Sequence, residues 1–371
     1  MTATIRHAAG SLLVVGLNST ELSGLERAWL KLIRPAGIIL FKRNIADAHQ
    51  TRALLDQATS LCTPHSFRCA DVEGGTVDRL RNALAPMPSA QSVARAAQAA
   101  GNTRLSREHA ELIARAVKAF GFNTTLAPVL DLALPASAAV MGTRTAAETP
   151  SGVVEYARAF LSGLATHGIA GCGKHFPGLG AGTLDSHLET PSIDRTYRAL
   201  WNQDLAPYRE LHRELPMVMV SHAAYPETPG RNHPASASPF WIGTVLRKRI
   251  GYSGIIFSDD LEMGGIFKFL PIEEAAVAAI RAGMDLLEIC HSPELILRAY
   301  ESLVSEAERS PSFRKLLQSR STQTARKRAK LFPQSPSKPL TTGQFESLRA
   351  RILQFSEIIA TAQPASQEQP S

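Results

Sequence analysis

Asp185 and His187 stand two residues apart in the glycine-rich stretch KHFPGLGAGTLDSH, residues 174–187. In an extended loop that spacing puts both side chains on one side, so the carboxylate can hold the imidazole and favour its protonated form. Such a pair suits a proton donor working near neutral pH. Taken alone, D-x-H favours the plainer reading of a capping Asp beside a surface His. A second stretch, SGIIFSDDLEMGG at residues 253–265, reads as a buried strand that delivers Asp259 and Asp260 at its carboxyl end and then opens a helix. Adjacent acids there can cap that helix, whose free N–H groups favour carboxylates. They can also furnish a nucleophile, if the strand end faces the Asp–His pair across a common pocket.

Eight short aliphatic or β-branched runs could position these groups. They are SLLVVGL from Ser11, GIILF from Gly37, FRCADV from Phe67, TTLAPVLDL from Thr124, IAGCGKHF from Ile169, MVMVSHA from Met217, GIIFSDD from Gly254 and MDLLEIC from Met284. Between them lie helical patterns such as REHAELIARAVKAFGF and EEAAVAAIRAG, with apolar residues three and four apart. Strand then helix, eight times over, predicts an α/β fold, a single (β/α)8 TIM barrel. A doubly wound sheet would carry a glycine-rich phosphate turn after its first strand, and VGLNSTELSG has no G-x-G-x-x-G. The polar residues singled out all follow strands, on the face where such barrels build their sites.

The connection after Asp71 runs through LRNALAPMPSAQSV to a helix from about Arg104, and reads as a long active-site loop. Beyond Phe332 the prolines of FPQSPSKPLTTGQ end a helix, a last helix is expected over residues 345–360, and TAQPASQEQPS reads as a frayed tail. The division expected is a barrel over residues 1–335 and an extension over 336–371.

With 371 residues, 44% of them hydrophobic and 20% charged, the chain can bury one large core and is not disordered as a whole. Its apolar runs are strand-sized, so no membrane span is expected, and a cytoplasmic setting is the default. The net charge of +7 is matched by the seven Lys and Arg of RKLLQSRSTQTARKRAK, residues 314–330, which contains no acid. That segment reads as the solvated face of a terminal helix, and a nucleic-acid partner is not expected. Cys62, Cys69, Cys172 and Cys290 have apolar flanks and no C-x-x-C spacing, which points to reduced core thiols. No H-E-x-x-H or clustered His pattern is present, so neither a metal nor a cofactor is expected.

The chain resembles glycoside hydrolase family 3, in its β-N-acetylglucosaminidase (β-N-acetylhexosaminidase) branch acting on cell-wall muropeptides. Six blocks in family order carry the resemblance: GIILFKRNI (37–45), DVEGGTVDRL (71–80), NTTLAPVLDL (123–132), the 174–187 loop, SHAAYP (221–226) and SDDLEM (258–263). It implies that Asp259 is the nucleophile, forming a covalent glycosyl-enzyme with net retention. It implies His187 as general acid/base, assisted by Asp185, where most retaining glycosidases use a carboxylic acid. Asp71, Arg79, Arg144, Lys174 and His175 map to sugar-contacting positions, and Met263 to the N-acetyl pocket; Asp260 is read as structural.

Three departures stand out. Thr76 replaces the Arg of G-G-R-V, Leu179 the His of P-G-H-G, and GTRTAAETP lacks the usual Ser-Phe after the Arg. They bear on loop shape and aglycone preference and leave Asp259, Asp185 and His187 in place. The function implied is a retaining exo-β-N-acetylglucosaminidase of peptidoglycan-derived fragments, with a carbohydrate as its partner and a monomer as the default. The alternatives are another β-glycosidase specificity, a phosphorylase exploiting a neutral imidazole that does not repel phosphate, or a catalytically silent sugar-binding barrel.

Overall fold

The computed structural model describes residues 2–182, 191–332 and 338–362. Each of the eight anticipated runs contributes a strand. The strands are β1 Leu13–Gly16, β2 Gly37–Ile39, β3 Phe67–Ala70, a hairpin of β4 Val72–Gly74 and β5 Val77–Asp78, then β6 Thr124–Thr125, β7 Ala170–Phe176, β8 Met217–Val220, β9 Ile255–Asp260 and β10 Leu286–Ile289. All but β4 and β5 pair in parallel, and β1 closes on β10 to complete an eight-stranded TIM barrel with helices outside. Along each barrel strand the side chains alternate. Val14, Ile39, Cys69, Cys172, Met219, Phe257 and Leu286 pack the interior, whereas Val15, Ile38, Val218, Ile256 and Leu287 face the helices. All four cysteines are buried free thiols.

The connection following Asp71 is more structured than its sequence suggests. It holds the β4–β5 hairpin and then the helix Ala90–Ala99, N-capped by Ser89, whose hydroxyl accepts from the Ser92 N–H at 3.2 Å. The buried stripe of that helix is Ala90, Val93, Ala96 and Ala97, so its period is helical but its apolar signal is weak.

The basic helix Pro311–Leu331 is a larger correction. It lies across the N-terminal end of the barrel with only part of its charge in water. Asp285, fully buried just before β10, accepts from Arg247 at 2.6 Å, Arg320 at 3.1 Å and Lys327 at 3.1 Å. Burial pushes its carboxyl up, and the cations outweigh this and hold it below the usual range. Arg328, also buried, donates to the carbonyls of Ala36 and Pro64 and to the hydroxyl of Thr63. Phe332 then sets its ring edge against Phe67 at 5.1 Å and joins the interior cluster. Composition alone cannot separate cations facing water from cations facing the open carbonyls of strand beginnings.

The last helix spans Thr342–Thr361, starting earlier than expected because Thr341 and Gln344 form a reciprocal cap. Its Leu348, Ile352, Phe355 and Ile359 are buried against the helices Ala90–Ala99 and Arg104–Ala119, and the Phe355 ring stacks on buried His109 at 6.1 Å. The tail expected to fray lies, from residue 363 on, outside the described residues.

Candidate active site

At the C-terminal end of the barrel the strand ends surround one cleft. Asp71, Arg79, Arg144, Lys174, His175, Asp259 and Met263 all line it, together with Glu73, Glu288 and His291. Asp185 and His187 lie outside the described residues, but Gly182 and Pro191 on either side of that segment line the same cleft.

One wall is an ion-pair network. The Lys174 ammonium, buried at the end of β7, sits 2.9 Å from Asp71 Oδ1 and 2.6 Å from Glu73 Oε1. Arg144 grips Glu73 with two parallel bonds of 2.9 Å, and Arg79 reaches Asp71 Oδ2 at 3.2 Å. Burial by itself pushes both carboxyls up; Lys174 and Arg79 reverse this for Asp71, and Arg144 and Lys174 bring Glu73 down to about 2. Glu73 carries no motif signal of its own in the sequence. It comes from β4 and meets residues 71 and 101 positions downstream, a convergence that only the closed barrel creates.

His175 is held from behind by Asp131, a second acid that the sequence alone does not single out. The Asp131 carboxylate accepts from His175 Nδ1 at 2.7 Å and from the His175 and Leu179 backbone N–H groups at 3.1 and 2.7 Å. Arg144 donates to His175 Nε2 at 3.4 Å, so the ring carries its proton on Nδ1. Leu179, where the family pattern has His, is thus tied through its N–H to the acid that orients the neighbouring imidazole.

The opposite wall is the end of β9. There the register with β10 runs Leu286↔Phe257 and then Glu288↔Asp260, one extra residue on β9. The irregularity lets both Asp259 and Asp260 border the cleft. Asp259 is half-buried, and one of its oxygens accepts the Asp260 N–H at 3.0 Å. Asp260 is buried, accepts the Glu262 N–H at 3.0 Å, and lies 3.6 Å from His291 Nε2. Desolvation first, then the neighbouring Glu262 and Asp259, push its carboxyl up to about 7. From the SHAAYP block, buried His222 donates its Nε2–H to the Asp260 carbonyl at 2.9 Å and accepts from Ser236 at 2.7 Å, which fixes the strand end bearing both acids.

Among the described residues, Asp260, Glu262 and His291 bring three ligand-type atoms within 4.8 Å of one another, a grouping the sequence gave no reason to expect. Both Glu262 oxygens already serve the turn after β10, accepting the N–H groups of Cys290 at 2.8 Å, Ser292 at 2.7 Å, and His291.

Charged multi-donor groups facing a half-buried carboxylate at the mouth of a barrel suit recognition of a polyhydroxylated ligand and attack upon it. The model of the glycosyl hydrolase family 3 N-terminal domain matches residues 4–317. A beta-hexosaminidase of Alkalilimnicola ehrlichii is 39% identical over 287 residues, 76% of this chain and 82% of that protein. One of Methylococcus capsulatus is 38% identical over 297 residues, 80% and 87% of the two chains. A glycoside hydrolase family 3 beta-N-acetylglucosaminidase from Paenibacillus superposes with a TM-score of 0.84 at 30% identity, covering 95% of this chain and 68% of that one. Native NagZ from Neisseria gonorrhoeae superposes at 0.76 with 28% identity, over 95% and 97%. On this evidence the chain belongs to glycoside hydrolase family 3.

Proposed function

We propose that this glycoside hydrolase is a retaining exo-β-N-acetylglucosaminidase that removes terminal β-linked N-acetylglucosamine from peptidoglycan-derived fragments. The observation that carries the reading is the half-buried Asp259 at the end of β9, opposite a wall of Asp71, Arg79, Arg144, Lys174 and His175. That wall offers donors and acceptors for the hydroxyls of a single sugar, and Met263 borders the cleft beside the nucleophile. The names of the relatives support the N-acetylhexosaminide preference.

In the mechanism proposed, Asp259 attacks the anomeric carbon while His187, oriented by Asp185, gives its proton to the departing oxygen. His187 then takes a proton from water, which displaces Asp259 with net retention. The eight residues between Gly182 and Pro191 have ample length to bring His187 over the cleft, since an extended chain spans about 3.4 Å per residue. An aryl N-acetylglucosaminide and the matching glucoside, each with and without phosphate, test the reading. Hydrolysis of the first alone, unaffected by phosphate, is expected. Glycosyl phosphate as product would establish a phosphorylase, and turnover of neither substrate would leave a binding protein.

A direct test of the proton shuttle compares leaving groups. His187→Ala is expected to lose about 100- to 10,000-fold on a sugar aglycone that needs protonation and far less on an activated aryl one. Equal losses on both would remove His187 from the chemistry.

A further inference from the structure

Glu288 is an acid in an unusual place. It lies on β10 between Leu286 and Cys290, both members of the barrel's interior cluster, so alternation turns it toward the axis. It is buried, yet borders the cleft. Its Oε1 accepts the Cys290 S–H at 3.1 Å, while Oε2 has no hydrogen-bond partner among the described residues. Buried polar atoms are rarely left so, and one bordering a cleft calls for a function.

Its neighbours decide which. Its register partner is Asp260, with Asp259 one residue before, on a strand about 4.8 Å away. The titratable groups around it are Cys69 on β3 and Asp71 just after that strand, Cys172 from β7, Asp259 and Asp260 from β9, and Cys290 just past its own strand, with His291 3.6 Å from Asp260; β1 on the other side offers none. The Lys and Arg residues of the cleft, Arg79, Arg144 and Lys174, pair with Asp71 and Glu73. The carboxyls at the ends of β9 and β10 are therefore packed together without one of these cations, the His291 ring lying 3.6 Å from Asp260, and the like charge beside it disfavours ionisation of Glu288. Burial, followed by Asp71 and Asp260, pushes the Glu288 carboxyl well above the usual range.

We propose that Glu288 is a positioning residue for the nucleophile: as the neutral acid it donates from its unpartnered oxygen to the Asp259 carboxylate and stabilises that carboxylate as the leaving group of the second step. In that step the bond from Asp259 to the anomeric carbon breaks and its electron pair returns to the carboxylate. The water oxygen bonds to the same carbon, and the water proton goes to the acid/base. Glu288 keeps its own proton throughout. The assignment rests on the covalent mechanism proposed above.

The test uses an activated aryl N-acetylglucosaminide, for which release of the adduct limits turnover, together with intact-mass measurement after labelling with a 5-fluoro N-acetylglucosaminyl fluoride. Glu288→Leu fills the site without a donor. It is expected to lower kcat about 100-fold, the lower end of what one lost oxyanion donor costs, to change kcat/KM by less than about threefold, and to accumulate the Asp259 adduct. Glu288→Gln restores a donor and should recover at least about tenfold of the lost kcat. Equal losses in kcat and kcat/KM without adduct, or no change in Glu288→Leu, would overturn the proposal while leaving a labelled wild type intact. A wild type that is never labelled on Asp259 would overturn the covalent mechanism, and this assignment with it.

Discussion

Asp259 carries the sharpest expectation at the scale of single residues. Replacing it with Ala removes the covalent step proposed here, and activity should fall by about 3 orders of magnitude or more. The residue is half-buried at a cleft rather than packed in the core, so the melting temperature should move little. A folded Asp259→Ala protein with near-normal turnover would transfer the nucleophile's role elsewhere. Asp185→Asn belongs to the same scale: loss of the carboxylate beside His187 should shift the upper limb of the pH–rate profile toward acid, and an unmoved profile would separate the two residues.

Glu73 links site chemistry to stability. Its carboxyl sits at about 2 in the folded protein against an ordinary 4.5, so the folded state holds its proton less tightly than the unfolded chain. The sign follows: its contribution is complete above about pH 4.5 and is lost as pH falls toward 2. Glu73→Gln should flatten that part of a stability-against-pH curve and raise KM, because Arg144 and Lys174 lose their shared anchor. An unchanged acid limb would assign acid sensitivity to other carboxyls.

The sequence exposed Asp71, Arg79, Lys174, His175, Asp259 and Met263 because each stands in a block with a recognisable pattern, and Arg144 because its stretch keeps the Arg while departing from the pattern after it. Glu73 and Asp131 stand in those blocks too, but the contacts that reveal them are to Arg144, Lys174 and His175, far away in the chain. Glu288 offers no pattern at all: one acid in MDLLEIC could as well have faced solvent.

Among the elements, the helix Pro311–Leu331 most changes the picture drawn from composition. Asp285 has three cations and a backbone N–H from Ile256 around it, with no water-exposed surface. Asp285→Asn leaves those cations without their counter-charge and should cost about 3–5 kcal/mol in chemical denaturation. A change below about 1 kcal/mol would show the helix to be held by its apolar face alone. Strands were more legible than helices here. Aliphatic runs of barrel length bounded by glycine or charge mark themselves, whereas Ala90–Ala99 buries mainly methyl groups and gives little contrast.

For the whole molecule, the notable connection is between the last helix and the cleft. Thr342–Thr361 packs on the helix that follows the Glu73-bearing hairpin, and its Arg349 and Ser356 donate to the carbonyls of Leu84 and Pro86. Removing it exposes Leu348, Ile352, Phe355 and Ile359 and the surface they cover, a loss on the order of 6 kcal/mol. A chain ending at residue 340 should melt lower and, if still folded, show a raised KM with a smaller change in kcat, since the brace acts on the wall proposed above to bind the sugar. Unaltered kinetics in a folded truncation would confine the helix to stability.

The seal that Arg328 and Phe332 place over the beginnings of β2 and β3 also has a consequence in time. A ribosome delivers the chain from its N-terminus at about 5–20 residues per second, and the segment closing the barrel's underside follows all eight strands. Between the emergence of β10 and that of Phe332, the nascent barrel can pair its strands while Phe67 and the open carbonyls around it still face water. For that interval, a few seconds at those rates, the growing chain exposes a patch that the finished protein hides, and it is there that a nascent-chain chaperone would find its hold.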